Sequence, residues 1–342
     1  MRTCVLFGGT GFIGSALARF FINEKLFDLI VLADLVPISD LRQPYRKNLL
    51  NHPNIMFTHC DVRTPIGILL PEGVEVTLVM NLAAIHREPG HQAEEYFSTN
   101  LKGAEHVCDY ARNVNCAHVI FLSSIATYGS DHLEKTEASL TMPLTPYGIS
   151  KLLAEKKHEI WQAEEPAKRV LTVIRPGVVF GPGEEGNVTR MVKAISRRYF
   201  FFAGNKSIPK AGIYVKELCR AIWWAHAFQI DQGKGVDVFN MSMDPVPVLR
   251  DYADAIVAAK GRNFWIPEVP FISLLLVSKA LNVIWKFIKR DHPFDPVRVL
   301  KLKSATNVKA FKLVISGYKF EFNMREAMTD WRYDCPRDWS EE

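Results

Sequence analysis

Cys4-Val-Leu-Phe-Gly8-Gly9-Thr10-Gly11-Phe12-Ile13-Gly14 decides the fold. Three glycines, Gly8, Gly11 and Gly14, follow an apolar run and precede a helix-forming run over 15–23. Glycine there permits a tight turn, close approach of backbone to a pyrophosphate, and close packing of helix on strand. The helix start offers unpaired N–H groups to phosphate oxygens. Asp34 ends the next apolar run, about 20 residues beyond Gly14. A carboxylate at that place accepts hydrogen bonds from the adenosine ribose hydroxyls and repels a 2′-phosphate, which selects NAD over NADP. On this reading Gly8, Gly11, Phe12, Ile13, Gly14 and Asp34 hold NAD. Asp61, in Cys60-Asp61-Val62 after the third apolar run, brings its carboxylate or the neighbouring backbone, Val62 included, near the adenine. Position alone equally allows Asp61 to cap its own loop.

Working outward, strand-like runs recur at 3–7, 29–33, 55–58, 78–81, 118–122 and 170–174, each separated from the next by room for a helix or a long loop. This alternation predicts an α/β Rossmann fold, a doubly wound and mostly parallel sheet. Several runs are continuously apolar, as strands covered by helices on both faces require. After about residue 180 the rhythm changes, with Gly181-Pro182-Gly183 and Gly186 close together. The expected division is a cofactor-binding domain over 1–180, to which 205–245 returns, and a smaller substrate-binding region over 181–204 and 246–342.

The chain of 342 residues is 48% hydrophobic and 23% charged, which argues against disorder. Its net charge of +5 comes from 42 basic and 37 acidic residues spread along the whole length, so no nucleic-acid footprint is present. Cys4, Cys60, Cys108, Cys116, Cys219 and Cys335 show no metal-binding or redox spacing. Reduced thiols in a cytoplasmic protein fit this usage. Residues 2–7 run straight into the glycine turn, without the parts of a signal peptide ahead of it, so none is expected. Residues 271–288 are strongly apolar, but Lys279 and Asn282 lie in their middle and Lys286, Lys289 and Arg290 close the segment. A spanning helix needs about 20 residues with few charges, and a central lysine costs roughly 3 kcal/mol on insertion scales. The segment is not expected to span. Two readings stay open: a helix packed into the substrate region or a dimer interface, or an interfacial helix over 271–290 whose basic residues meet lipid head groups at the inner face of the membrane.

Tyr147 and Lys151 stand four apart in Thr145-Pro146-Tyr147-Gly148-Ile149-Ser150-Lys151. Thr145 suits an N-cap and Pro146 the first helical position, so both side chains share one helix face. A tyrosine of pKa about 10 becomes a usable base when a nearby ammonium and an oxidised nicotinamide favour its phenolate. Upstream, the run ending in Leu122-Ser123-Ser124 places two serines at a carboxyl strand edge, where ligands bind in open α/β sheets. Ser124 is the candidate to hold a substrate oxygen while Tyr147 takes its proton.

With these motifs assembled, the chain resembles the NAD-dependent epimerase/dehydratase family of extended short-chain dehydrogenases over most of its length. The stretches that carry the likeness are Gly8 to Gly14, Asp34, Cys60-Asp61-Val62, Asn81-Leu82-Ala83-Ala84, Asn100, Ser123-Ser124, Tyr147 to Lys151, and Arg175-Pro176-Gly177 through Gly181-Pro182-Gly183. The resemblance implies Ser124, Tyr147 and Lys151 as the catalytic group and Ala83, Ala84, Asn100 and Pro176 beside the cofactor. It implies His86 and Asn187 at the substrate, no metal, and a homodimer through helices flanking the sheet.

Family members that dehydrate or decarboxylate place acidic residues just after the catalytic hydroxyl residue; here Ile125 and Ala126 stand there. Members that epimerise at carbons 3 and 5 add a Cys and His pair, and 181–187 holds no such histidine. The closest likeness is to epimerases of bacterial surface-polysaccharide assembly, acting on N-acetylhexosamine joined to a nucleotide diphosphate or to undecaprenyl diphosphate. Asn81 to Glu88, Gly186-Asn187-Val188 and Gly204-Asn205-Lys206-Ser207 carry it. One departure is plain: the usual Arg-Asp-Phe-x-Tyr-Val tail is here Ala211-Gly212-Ile213-Tyr214-Val215. The expected function is C4 epimerisation of a carrier-linked hexose through a 4-keto sugar. An NAD(P)H-dependent reductase of a 4-keto sugar nucleotide, or a hydroxysteroid-type dehydrogenase, is the alternative with the same triad. A catalytically silent NAD-binding subunit is a third.

Overall fold

The apolar runs form a single parallel sheet in a computed structural model that describes residues 1–87, 90–261, 264–276 and 304–340. Its seven strands are β1 Arg2–Phe7, β2 Leu29–Asp34, β3 Ile55–His59, β4 Glu75–Asn81, β5 His118–Leu122, β6 Val170–Pro176 and β7 Val236–Met241, in the order β3-β2-β1-β4-β5-β6-β7. Every neighbouring pair is parallel. The chain winds outward from β1 to β3 and then in the other direction from β4, so the connections after β1 and β4 diverge and leave a crevice at the carboxyl edge. β4 starts earlier than its apolar run because Glu75 and Val76 pair with Arg2 and Thr3, ahead of a register shift between Thr3 and Cys4.

The longer helices are α1 Phe12–Asn23, α2 Lys102–Asn113, α3 Pro146–Ala163, α4 Asn187–Ser196, α5 Val215–Asp231, α6 Leu249–Ala259 and α7 Met324–Asp334. Alternate strand residues point to opposite faces. Cys4, Leu6, Ile30 and Met80 meet Leu17 and Phe21 of α1 and Leu218 and Ile222 of α5. Val5, Phe7, Val79 and Phe121 meet Val107 of α2 and Ala154 and Trp161 of α3. Each fully buried Val, Leu, Ile or Phe contributes about 1.5–3 kcal/mol, which is why these strands read as unbroken apolar runs.

Directly after β6, Val178–Phe180 pairs in parallel with Gly212–Tyr214. From there a separate apolar cluster forms around Phe180 of that strand and Val192, Tyr252, Ile256, Met328 and Trp331 of α4, α6 and α7. All six cysteines are free and buried. Among the described residues no cluster of side chains could hold a metal, and no helix is long and apolar enough to cross a membrane. Residues 271–276 are helical; residues 277–290, on which the two readings of the apolar segment turn, lie outside the described residues.

Candidate active site

A cleft of about 1410 Å³ opens at the carboxyl edge of the sheet, and the glycine turn forms one wall. Gly8 has φ +79°, and a Cβ there would stand 2.8 Å from the Ala83 nitrogen. Gly14 would place a Cβ 2.5 Å from the Gly8 carbonyl oxygen. Both positions therefore require glycine. Beside Gly11 the nearest atom to an added Cβ is that same oxygen at 3.1 Å, and the rest of the space belongs to the cleft. No side chain caps α1 at Gly11 and no carboxylate lies in its first turn, so its N–H groups stay available to an anion. At the end of β2, Asp34 accepts hydrogen bonds from the Thr10 amide (3.0 Å) and the Leu35 amide (2.7 Å). Each carboxylate oxygen keeps further acceptor capacity. An anion-ready helix start beside a fixed carboxylate fits the pyrophosphate and ribose diol of a dinucleotide.

On the opposite wall, Thr145 caps α3 by accepting from the Gly148 amide at 3.2 Å, and Pro146 opens the helix. A Cβ on Gly148 would lie 2.6 Å from the Ala126 carbonyl oxygen. This close approach sets the start of α3 against the turn that follows Ser124. Ser124 caps that turn, accepting from the Ala126 amide at 3.1 Å, and it lines the cleft with Tyr147 and Lys151. Ser123 does not line it in the same way: its hydroxyl is buried and donates to Glu155. The ring of Tyr96 lies 6.2 Å from that of Tyr147, and its hydroxyl donates to the Arg87 carbonyl.

Lys151 is buried, with Nζ 4.5 Å from the centre of the Phe121 ring. Burial pushes its pKa down to about 7, against an opposing pull from Glu155. The other face of this region is closed by His158, stacked on Phe121 at 4.2 Å between ring centres. His158 Nδ1–H donates to the Ala154 carbonyl at 2.8 Å, a partner that fixes this tautomer. Its Nε2 then accepts from Asn81 Nδ2 at 3.4 Å. Burial lowers its pKa to about 4, so the imidazole adds no charge beside Lys151 at neutral pH.

The remaining expected residues fall in distinct places. Phe12, Ile13, Val62, Ala83, Ala84 and Pro176 line the cleft. Asp61 also lines it, but its carboxylate is held by the Arg63 guanidinium at 2.6 Å and by the Arg63 amide at 2.9 Å. Both contacts hold its pKa below the ordinary value, and the carboxylate caps its own loop. Asn100 lies deeper than these residues. It is buried behind the wall, accepting from the Ile85 amide (2.8 Å) and donating to the Ile85 carbonyl (3.0 Å) and the Ser150 hydroxyl (2.9 Å). These bonds hold the segment that follows β4 against α3. His86 and Asn187 both line the cleft; desolvation and the neighbouring Arg87 charge lower the His86 pKa. The stretch 211–215 is fully buried and does not face the cleft.

Sequence reasoning missed two buried carboxylates beside the cleft. Glu155 is paired with Arg175, and Glu184 receives the Thr189 amide at 2.7 Å, completing the start of α4. Glu155 follows Lys151 by four positions as Lys151 follows Tyr147, so its place on the same helix face could have been read from spacing.

A sequence model of the NAD dependent epimerase/dehydratase family matches residues 4–241, from β1 to the end of β7. The N-acetyl-alpha-D-glucosaminyl-diphospho-ditrans,octacis-undecaprenol 4-epimerase of Escherichia coli O157:H7 is 25% identical over 250 residues, which cover 73% of this chain and 75% of that protein. The ADP-L-glycero-D-manno-heptose-6-epimerase of Nitratidesulfovibrio vulgaris (strain DP4) is 26% identical over 289 residues, 79% of this chain and 84% of that one. Among solved structures, UDP-glucuronic acid 4-epimerase from Bacillus cereus in complex with NAD shares the fold, with a TM-score of 0.73 over 99% of this chain and all of that one, at 16% identity. By the extent of the family match and a cleft built for a dinucleotide, the chain belongs to the NAD dependent epimerase/dehydratase family, and its cofactor is NAD.

Proposed function

We propose that the protein is a sugar epimerase that inverts C4 of an (N-acetyl)hexose carried on a nucleotide diphosphate or a polyprenyl diphosphate, through a transient 4-keto sugar. The observation that carries this reading is the placement of Ser124, Tyr147 and Lys151 around the same cleft as the glycine turn and Asp34. Bound NAD supplies the acceptor for the C4 hydride and the donor that returns it. Tyr147 takes the proton of the C4 hydroxyl and later gives it back. Lys151 holds the nicotinamide ribose, and its charge favours the Tyr147 phenolate. Ser124 holds the reacting oxygen, while His86 and Asn187 hold the sugar and its carrier. Ile125 and Ala126, after Ser124, carry no group able to move a second proton, which favours simple inversion over dehydration.

In the same reading, 1–180 with 205–245 binds the cofactor, and 181–204 with 246–342 covers the substrate. Gly8, Gly11, Phe12, Ile13, Gly14, Asp34, Val62, Ala83, Ala84 and Pro176 contact NAD. A homodimer is supported by Ile149, Leu153 and Ile160, exposed at helical spacing along α3. Contact with a lipid surface is supported by the exposed Ile272 and Leu276.

The test uses protein purified without added cofactor, first denatured to release NAD, then fresh protein incubated with UDP-N-acetylglucosamine and with the polyprenyl-linked sugar. Retained NAD and a C4 epimer without net reduction of dinucleotide are expected. Turnover only with added NADH and a keto sugar would replace this reading with the reductase.

A further inference from the structure

We propose that Glu155 is a positioning residue, whose carboxylate sets the register between the strand end bearing Ser124 and the helix face bearing Tyr147 and Lys151. Glu155 is fully buried. One carboxylate oxygen accepts from Arg175 Nε at 2.9 Å and from the Ser123 hydroxyl; the other accepts from Arg175 Nη2 at 2.6 Å. Arg175 Nη1 in turn donates to the Tyr128 hydroxyl at 2.8 Å, and that hydroxyl donates to Asn240 Oδ1 at 2.9 Å. A single carboxylate thus joins α3 to the end of β5, to β6 and, through Tyr128, to β7.

This arrangement is costly to build. Two charges removed from water are recovered only with good geometry and further hydrogen bonds, and apolar residues of similar volume are often at least as stabilising. What the ion pair adds is a fixed distance between parts of the sheet edge. Ser123 is the immediate neighbour of Ser124, and Glu155 is one helical turn beyond Lys151. The Lys151 ammonium makes no side-chain hydrogen bond among the described residues, and the Phe121 ring lies beneath Nζ. Its direction into the cleft therefore depends on how α3 is anchored, and Glu155 is the ion-paired anchor on that helix face, beside the His158 contact with Asn81.

The inference rests on the proposed role of Lys151 at the nicotinamide ribose, and its test needs no sugar substrate, so failure of the epimerase assignment leaves the result standing. ADP occupies the glycine turn and Asp34 without reaching Lys151, whereas NAD reaches both. Calorimetric titration of the full-length protein with each ligand separates the two ends of the cleft. Removing both charges together, Glu155→Gln with Arg175→Met, avoids leaving one buried and unpaired. That pair variant should bind NAD about tenfold more weakly and ADP within about twofold of wild type. Ser123→Ala, which removes one hydroxyl and decides the matter if the pair variant does not fold, should weaken NAD about threefold and leave ADP unchanged. Where activity is measured, kcat should fall with KM nearly constant. Unchanged affinity for NAD in Ser123→Ala, or equal weakening of NAD and ADP, would overturn the proposal.

Discussion

Lys151 is the residue whose chemistry is set most completely by its surroundings. An ammonium fully enclosed by protein loses hydration, and burial brings its pKa to about 7. The native pKa lies below the unfolded value of about 10.4. Between about pH 7 and pH 10 the unfolded chain therefore holds a proton that the native chain lacks, and stability rises with pH across that window. Urea unfolding of the chain without cofactor, compared with Lys151→Met at pH 7 and pH 9.5, should show that rise only in the wild type; parallel behaviour would contradict it. Tyr147→Phe removes the acid and base while keeping the ring beside Tyr96. Turnover should fall by about 10²–10⁴ while the NAD content of the purified protein stays the same. The pairing of Tyr147 with Lys151 was legible from spacing. Ser124 was chosen over Ser123 from the sequence without a physical reason, and the fold supplies one, because the Ser123 hydroxyl is committed to Glu155.

At the scale of elements, the strand–turn–helix unit at the chain start was legible because its glycines are demanded by contact as well as by conformation. Gly14→Ala places a methyl group 2.5 Å from the Gly8 carbonyl oxygen. The turn must open to accept it, so NAD affinity should fall at least about tenfold while far-ultraviolet circular dichroism stays that of the folded protein. Unchanged affinity would mean that the turn does not hold the pyrophosphate. The start of β4 was hidden because Glu75 and Thr77 are polar, although Glu75 and Val76 pair with β1. Asn100 shows the opposite limit. The resemblance put it beside the cofactor; in the fold its amide bonds Ile85 and Ser150, a long-range commitment that no local pattern records.

For the whole molecule, the doubly wound parallel sheet was legible in the alternating runs, because apolar strands between helices have few ways to be covered. The cluster around Phe180 and Trp331 was not legible, since it gathers short segments from α4, α6 and α7 whose spacing is irregular. The Glu155–Arg175 pair was hidden for the same reason: its partners come from a helix and a strand, joined only in the fold. The homodimer reading belongs to this scale as well. Sedimentation of the wild type should give a dimer, and Ile160→Glu, which puts a charge on the exposed stripe of α3, should give monomer with the fold kept; a monomeric wild type would remove that reading.

Hydride that leaves and returns at one carbon leaves an isotopic record. A carrier-linked N-acetylhexosamine carrying deuterium at C4 is converted in ordinary water, and the epimer is analysed by mass and by nuclear magnetic resonance. An inverted C4 that keeps its deuterium is expected, with no label in solvent or in free dinucleotide. Label washed out to water, or found in released reduced dinucleotide, would contradict it.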